Sequence, residues 1–336
     1  MHSRSDDIDD FLARTGWSGA TRTMLAGDAS FRRYERIFLD GRQAVLMDAP
    51  PQKEDIRPFI AAAEMLAACG LSAPSIFASD LTNGFLLLED LGDDLFTPLL
   101  RQSAGQEETL YLAATDVLVE LYRLAQVKDF TAFPAYSPLL LLHECALFAD
   151  WYLPAMMGAE AAAPLARDYK ALWQELMEKL PALHPVFVLR DYHADNLLWL
   201  PEREAIKRVG LLDFQDAVIG SPAYDMVSFL EDARRDVNVA ARDRVLSYYL
   251  ESTRIAEADF RASYALLGAQ RNCKIIGIFT RLAVRDGKRH YLSYLPRVWR
   301  HLEHDLQHPL LASLRQWMDR HIMPVLRGGL ILEGIK

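Results

Sequence analysis

Three short apolar runs, 186–189, 197–200 and 209–212, interrupt an otherwise helical half of the chain, with polar loops or turns between them. Each run has the length of a strand, and residues 201–207 supply a turn between the last two. Residues 185–215 are therefore a non-helical island. Helical patterns flank it at 106–126, 138–153 and 163–180, punctuated by Pro134, Pro154 and Pro181, and again from Pro222 to about residue 322. A fold for this chain has to enclose a small β element in a helical body, with the polar loops at the strand ends.

The first ninety residues are patterned differently. A short helix at 6–16 closes on Gly16. Strands follow at 20–25, 31–39 and 42–47, with Asp40 and Gly41 as a hairpin turn between the last two and the glycine-bearing segment 27–30 between the first two. In 55–69, Ile56, Phe59, Ile60, Ala63 and Leu66 share one helical face, and Gly70 suits the position after the helix. Residues 75–79 and 85–89 read as a further hairpin. The expected class is α+β, with a β-rich part at 1–90, a connector near 90–95 and a mostly helical part at 91–336 that carries the island.

Charge and composition remove several function classes. Lys and Arg number 37 against 46 Asp and Glu, a net charge of −9, which is the wrong sign for a nucleic-acid binder. No apolar stretch is long enough to cross a membrane, and the polar N-terminus has no apolar segment like that of a secretory signal. Cys69, Cys145 and Cys273 are too widely spaced for a metal or disulfide framework and read as reduced thiols. A cytoplasmic location is expected, and nothing implies an obligate protein partner.

The island carries the chemistry. Asp191 and Asn196 have the Asp-x-x-x-x-Asn spacing of a kinase catalytic loop, and Asp213 follows directly after an apolar run. A transferring phosphoryl group spreads negative charge over its oxygens, so it needs cations. Mg²⁺ is a hard ion that takes oxygen ligands, and a carboxylate (Asp213) with an amide oxygen (Asn196) suits it. An acceptor hydroxyl must be aimed at phosphorus and lose its proton, which a carboxylate such as Asp191 can do. Zinc is excluded because His193 has no second histidine or cysteine at ligand spacing, so His193 is assigned to organising the loop.

Residues 190–198, Arg-Asp-Tyr-His-Ala-Asp-Asn-Leu-Leu, resemble the catalytic loop of the aminoglycoside phosphotransferase/choline kinase family, usually H-G-D-x-H-x-x-N-h-h. On that resemblance Asp191 falls on the base, His193 on the second histidine, Asn196 and Asp213 on the magnesium ligands, and Asp225 on a structural aspartate. Leu189 and Arg190 depart from the usual His-Gly. The resemblance implies a protein-kinase-like two-lobed fold: an antiparallel-sheet N-lobe with one main helix, a mostly helical C-lobe, and an ATP site between them. Segments 27–34, 47–51, 87–92, 190–196, 276–281 and 285–288 resemble more narrowly the sugar 1-kinases of cell-wall recycling, which act on the anomeric hydroxyl of N-acetylmuramate and N-acetylglucosamine.

Further site residues follow from the resemblance. Gly27, Asp28 and Ser30 would cover the phosphates of ATP. The third strand has Met47 where a phosphate-binding lysine is usual, so Arg32 or Arg33 is expected to substitute, and Glu64 either pairs with that cation or is a plain surface glutamate. Glu89 and Leu91 belong to the connector whose backbone would bind adenine. Arg271, Lys274, Arg281 and Arg285 have helical spacing and either receive an acidic acceptor or form a solvated helix face. Trp151 and Tyr152 either stack on a sugar or pack in the core. Two rival readings keep the fold. One has another acceptor (an aminoglycoside, a choline-like amino alcohol, another sugar). The other is a nucleotide-binding scaffold without catalysis, which the missing lysine favours.

Overall fold

The structure, a computed structural model, describes residues 3–25 and 31–328. In chain order it contains α1 (Arg4–Arg14), β1 (Thr21–Met24), β2 (Arg33–Leu39), β3 (Arg42–Asp48), α2 (Arg57–Ala68), β4 (Ile76–Asp80), β5 (Phe85–Leu88), α3 (Phe96–Gln102), α4 (Glu107–Leu124), α5 (Pro138–Leu147), α6 (Leu153–Met157), α7 (Ala159–Met177), β6 (Val186–Val188), β7 (Leu197–Trp199), β8 (Val209–Leu211), β9 (Val218–Gly220), α8 (Ala223–Leu230), α9 (Val239–Thr253), α10 (Glu257–Arg285), α11 (Leu295–Asp305) and α12 (Ala312–His321). These separate into two compact units: Met1–Gln106 with Ala194–Ala217, and Glu107–His193 with Val218–Lys336.

In the first unit five antiparallel strands run in the order β1-β2-β3-β5-β4. Asp40 (φ 49°) and Gly41 (φ 76°) both take left-handed backbone, as a two-residue hairpin between right-twisting strands requires. The helix α1 starts on a reciprocal cap in which the Ser3 hydroxyl accepts from the Asp6 N–H and the Asp6 carboxylate accepts from the Ser3 N–H. Its Ile8, Phe11 and Leu12 pack with Ile37, Ala44, Leu46, Phe85 and Leu87, one face of the sheet. Alternation along the strands puts Tyr34, Val45, Met47 and Leu86 on the other face. The β7–β8 ribbon joins this unit through Ser72, whose carbonyl accepts from the Leu211 N–H (2.9 Å) and whose hydroxyl donates to the Lys207 carbonyl (2.7 Å).

The second unit is mostly helical, with β6 and β9 paired antiparallel. The 29-residue helix α10 runs beside α5, α8 and α11. At its closest approach only glycine fits: a Cβ on Gly277 would lie 2.3 Å from the Leu147 carbonyl carbon. Just past Leu147, residues Phe148–Tyr152 form one π-helical turn that carries α5 into α6. Phe148, Tyr152, Tyr169 and Trp299 form an aromatic cluster, and the fully buried Tyr152 donates its hydroxyl to the Leu326 carbonyl (2.7 Å). Tyr152 is therefore core rather than a stacking surface. All three cysteines are buried thiols outside any disulfide.

The α+β class and the antiparallel sheet agree with the sequence reading, while α3 and β9 were not anticipated. The island is also divided: β6 and β9 belong to the helical unit, whereas β7 and β8 pack with the sheet unit.

Candidate active site

In the first unit the β7–β8 register sets Leu197 opposite Leu211, so Asn196 and Leu212 leave the ribbon at the same end. The Leu212 N–H donates to the Asn196 carbonyl (3.0 Å), and Asp213 follows. Asp213 has φ 56°, a conformation costly for a residue with a Cβ, and Gln215 Nε2 donates to its Oδ1 (2.9 Å). The next residue is a buried anchor: the Phe214 ring lies 4.9 Å from Phe59 of α2. Asp195 is held by the Thr97 hydroxyl at the start of α3. Asp213 keeps 38% side-chain exposure, so a carboxylate and an amide-bearing residue stand on one firmly tied turn.

Arg32 and Arg33 diverge. The Arg32 guanidinium, only 11% exposed, has Nη2 4.0 Å from Asp213 Oδ1 and Nε 3.9 Å from Glu54 Oε2. Arg33 is solvent-exposed and pairs in register with Asp48, on the sheet face that α1 covers. Met47 is fully buried between Tyr34 and Leu86. Glu64 is exposed on α2, and the carboxylate that meets Arg32 is Glu54, from the loop before that helix. Glu54 also accepts from the Phe31 N–H (3.4 Å). Burial raises the Tyr34 hydroxyl to about 12, so it stays protonated beside this pair. Gly27, Asp28 and Ser30 lie outside the described residues.

The connector is tied from both sides. Arg36 of β2 reaches Asp90 (Nη2–Oδ1 3.1 Å) and Asp93 (Nη2–Oδ1 2.8 Å). The Glu89 carboxylate meets Arg203 and accepts from the Ser75 hydroxyl (3.0 Å), while its N–H donates to the Ser75 carbonyl (2.8 Å). Leu91 lies over Gly210 of β8, its Cδ1 3.2 Å from where a Cβ would sit.

In the second unit Asp191 stands on a tight turn. Its N–H donates to the Leu189 carbonyl (2.9 Å), and Arg190 is left-handed at φ 69°. Asp225, buried on α8, accepts from the backbone N–H groups of Leu189 (2.7 Å) and Arg190 (2.9 Å). Burial pushes the Asp225 carboxyl up to about 7, despite those two donors. The Tyr192 hydroxyl donates to the Ala114 carbonyl of α4 (2.7 Å).

Asp191 is 43% exposed, with Arg271 Nη2 3.6 Å from its Oδ1. Arg271 is itself buried and donates to the Ser228 hydroxyl (2.7 Å). Burial pushes the Asp191 carboxyl up, but the charges of Lys274, Arg271, His193 and Arg190 outweigh it and hold the carboxyl below the ordinary aspartate value. Burial lowers the His193 pKa, against the opposing charges of Asp232 and Asp191. Lys274 Nζ lies 2.9 Å from Glu144 Oε1, and Arg190 reaches the same carboxylate. Two of the four basic candidates on α10 are thus buried or nearly so around Asp191. Arg285 is exposed and paired with Asp286 (2.7 Å), and Arg281 is half-buried.

Sequence reasoning missed Glu54, Arg36, Thr97 and Glu144. Only the last left a trace, as an acid inside the apolar pattern 138–149.

Comparison with known proteins supports one assignment. The profile of the phosphotransferase enzyme family matches residues 21–263. An N-acetylmuramate/N-acetylglucosamine kinase of Caulobacter vibrioides is 38% identical over 93% of this chain and 95% of that protein. The protein of the same name from Pseudomonas aeruginosa is 36% identical over 91% of each. Among solved structures, choline kinase LicA from Streptococcus pneumoniae superposes with a TM-score of 0.62 at 12% identity, covering 92% of this chain and 99% of that one. A choline/ethanolamine kinase family protein from Mesorhizobium loti gives 0.62 at 14% identity over 94% and 100%. These distant structures share the fold, while the sequence relatives and the profile both span most of the chain, which therefore belongs to the phosphotransferase enzyme family.

Proposed function

We propose that this chain is an ATP- and Mg²⁺-dependent kinase of the anomeric hydroxyl of N-acetylmuramate or N-acetylglucosamine. The observation that carries the reading is similarity over 83–93% of the chain, at 34–38% identity, to four proteins named for that activity. In this reading 1–90 is the nucleotide-binding lobe and 91–336 the catalytic and acceptor-binding lobe. Asp191 orients the acceptor hydroxyl and takes its proton; a carboxyl held below its usual pKa is ionised at neutral pH and ready to accept.

Asn196 and Asp213 fit a magnesium ion: both offer hard oxygen donors from one anchored turn, and Asp213 is part-exposed. Bound there, Mg²⁺ would neutralise phosphate charge. Arg32 is the cation that takes the place of the strand lysine, with Glu54 as its partner. Gly27, Asp28 and Ser30 cover the phosphates, and Glu89 and Leu91 line the adenine side. Arg271 and Lys274 are the acceptor-side cations closest to Asp191, with Arg281 and Arg285 further along α10. Among the described residues no helix is long and apolar enough to cross a membrane, and the proposed location is the cytoplasm, where ATP is supplied.

The test is product mass and ATP consumption with N-acetylmuramate, N-acetylglucosamine, choline and an aminoglycoside, for the wild type and Asp191→Asn. A 1-phosphorylated amino sugar from wild type, with a loss of about 10²–10⁴-fold in the variant, is expected. Turnover of choline or the aminoglycoside instead would replace the acceptor. ATP binding with no turnover of any acceptor would favour the scaffold reading.

A further inference from the structure

Glu144 lies on α5, outside every loop motif, yet four side chains converge on its carboxylate. It is 6% exposed. Its Oε1 meets Arg190 and Lys274 (2.9 Å), and its Oε2 accepts from the Tyr136 hydroxyl and Gln270 Nε2 (3.4 Å). Burial pushes its carboxyl up, but Lys274, Arg190 and the Tyr136 hydroxyl bring it below the ordinary value, so it is ionised. A buried carboxylate with two cations leaves surplus positive charge. Arg190 and Lys274 are two of the groups that act on Asp191, together with Arg271 and His193, with Asp225 behind the turn.

Arg190 sharpens the point. At φ 69° a glycine would sit without strain, and a residue with a Cβ costs on the order of 1 kcal/mol there. The side chain that incurs this cost reaches the buried Glu144 and stacks over the Tyr136 ring, 5.3 Å from its centroid.

We propose that Glu144 is a positioning residue for the catalytic aspartate: it fixes Arg190 and Lys274 beside Asp191, so that this carboxylate keeps its charged surroundings and its aim. The inference rests on the reading of Asp191 as the group that takes the acceptor proton. A buried ion network that merely joins α5 to α10 would stabilise the unit without affecting how Asp191 titrates.

Two variants of the full chain separate these. Glu144→Gln keeps the side-chain shape and removes the charge that anchors both cations. Arg190→Gly removes one cation and relieves the backbone strain, so a folded protein is expected even if Glu144→Gln folds poorly. The direct readout is the Asp191 carboxyl titration by ¹³C NMR, which needs no acceptor. The second is the pH profile of kcat/KM with whichever acceptor is turned over. Both variants should raise the Asp191 midpoint by about half a pH unit or more, with a fall of about tenfold in kcat; in Arg190→Gly, which leaves Lys274 on Glu144, acceptor KM should change little. The rise in Glu144→Gln is diagnostic: loss of a negative charge with the cations unmoved would lower the midpoint. An unchanged or lowered midpoint in folded Glu144→Gln, or an unchanged midpoint in Arg190→Gly, overturns the proposal. A raised midpoint in an enzyme that phosphorylates none of the acceptors would instead overturn the kinase reading and leave the electrostatic coupling standing.

Discussion

Asp225 carries a prediction with a sign that can be worked out. Its carboxyl is raised from 3.8 to about 7 by burial. In the unfolded chain it ionises near its ordinary value, so between about pH 4 and pH 7 the folded state holds a proton that the unfolded state has lost. Stability from this group is therefore fully present below about pH 4 and is lost as pH rises through 7. The whole difference is about 3 pH units, on the order of 4 kcal/mol, of which roughly 2.5 kcal/mol should disappear between pH 5 and pH 8. Asp225→Asn cannot ionise and should lack this loss. Its amide leaves one of the Leu189 and Arg190 N–H groups facing a second donor, which costs about 1–3 kcal/mol at any pH. Urea unfolding of both proteins at pH 5 and pH 8 gives the double difference, in which other titrating groups, such as the half-buried His301 lowered to about 4, cancel. If wild type and Asp225→Asn lose the same stability between these pH values, the reasoning is wrong. The variant should also lose activity, because the turn under Asp191 hangs from that carboxylate.

Arg32→Met should raise the KM for ATP about tenfold or more, equivalent to about 1.4 kcal/mol, while Arg33→Met stays within about twofold; equal effects in steady-state kinetics would contradict the divergence of the two side chains. Gly277→Ala puts a methyl 2.3 Å from a backbone carbon, so a clash of about 3 kcal/mol outweighs the gain of about 1 kcal/mol in helix propensity, and thermal unfolding should show a net loss of about 2 kcal/mol. A Gly277→Ala protein as stable as wild type would mean that α10 can move away from Leu147.

Much of the fold was legible because its signals are local. The Asp40 and Gly41 turn, the alternation of β2 and β3 and the spacing of Asp191, Asn196 and Asp213 each sit within a few residues. Strand β9 was not legible, because three residues beside a Gly-Ser-Pro segment carry no periodicity; only pairing with β6 makes them a strand. Arg32 and Arg33 were inseparable in sequence, since which one turns toward Asp213 depends on the pleat. Glu64 was expected by analogy with a helix position, and Glu54 meets Arg32 because the loop before α2 folds back onto Phe31. Glu144 was invisible as a site residue: its partners Arg190, Tyr136 and Lys274 converge from separate segments, and no spacing rule links them.

The excursion of residues 194–217 has a consequence for how such a chain can be taken apart or recombined. No single cut yields either unit whole. A fragment ending at Gln106 lacks β7, β8, Asn196 and Asp213, and the complementary fragment carries that ribbon without Ser72, Asp94 and the other groups that hold it. Exchange of the sheet unit between relatives would need two separate stretches of the gene moved together. A crossover at one point would join a sheet to a ribbon that had evolved against a different one.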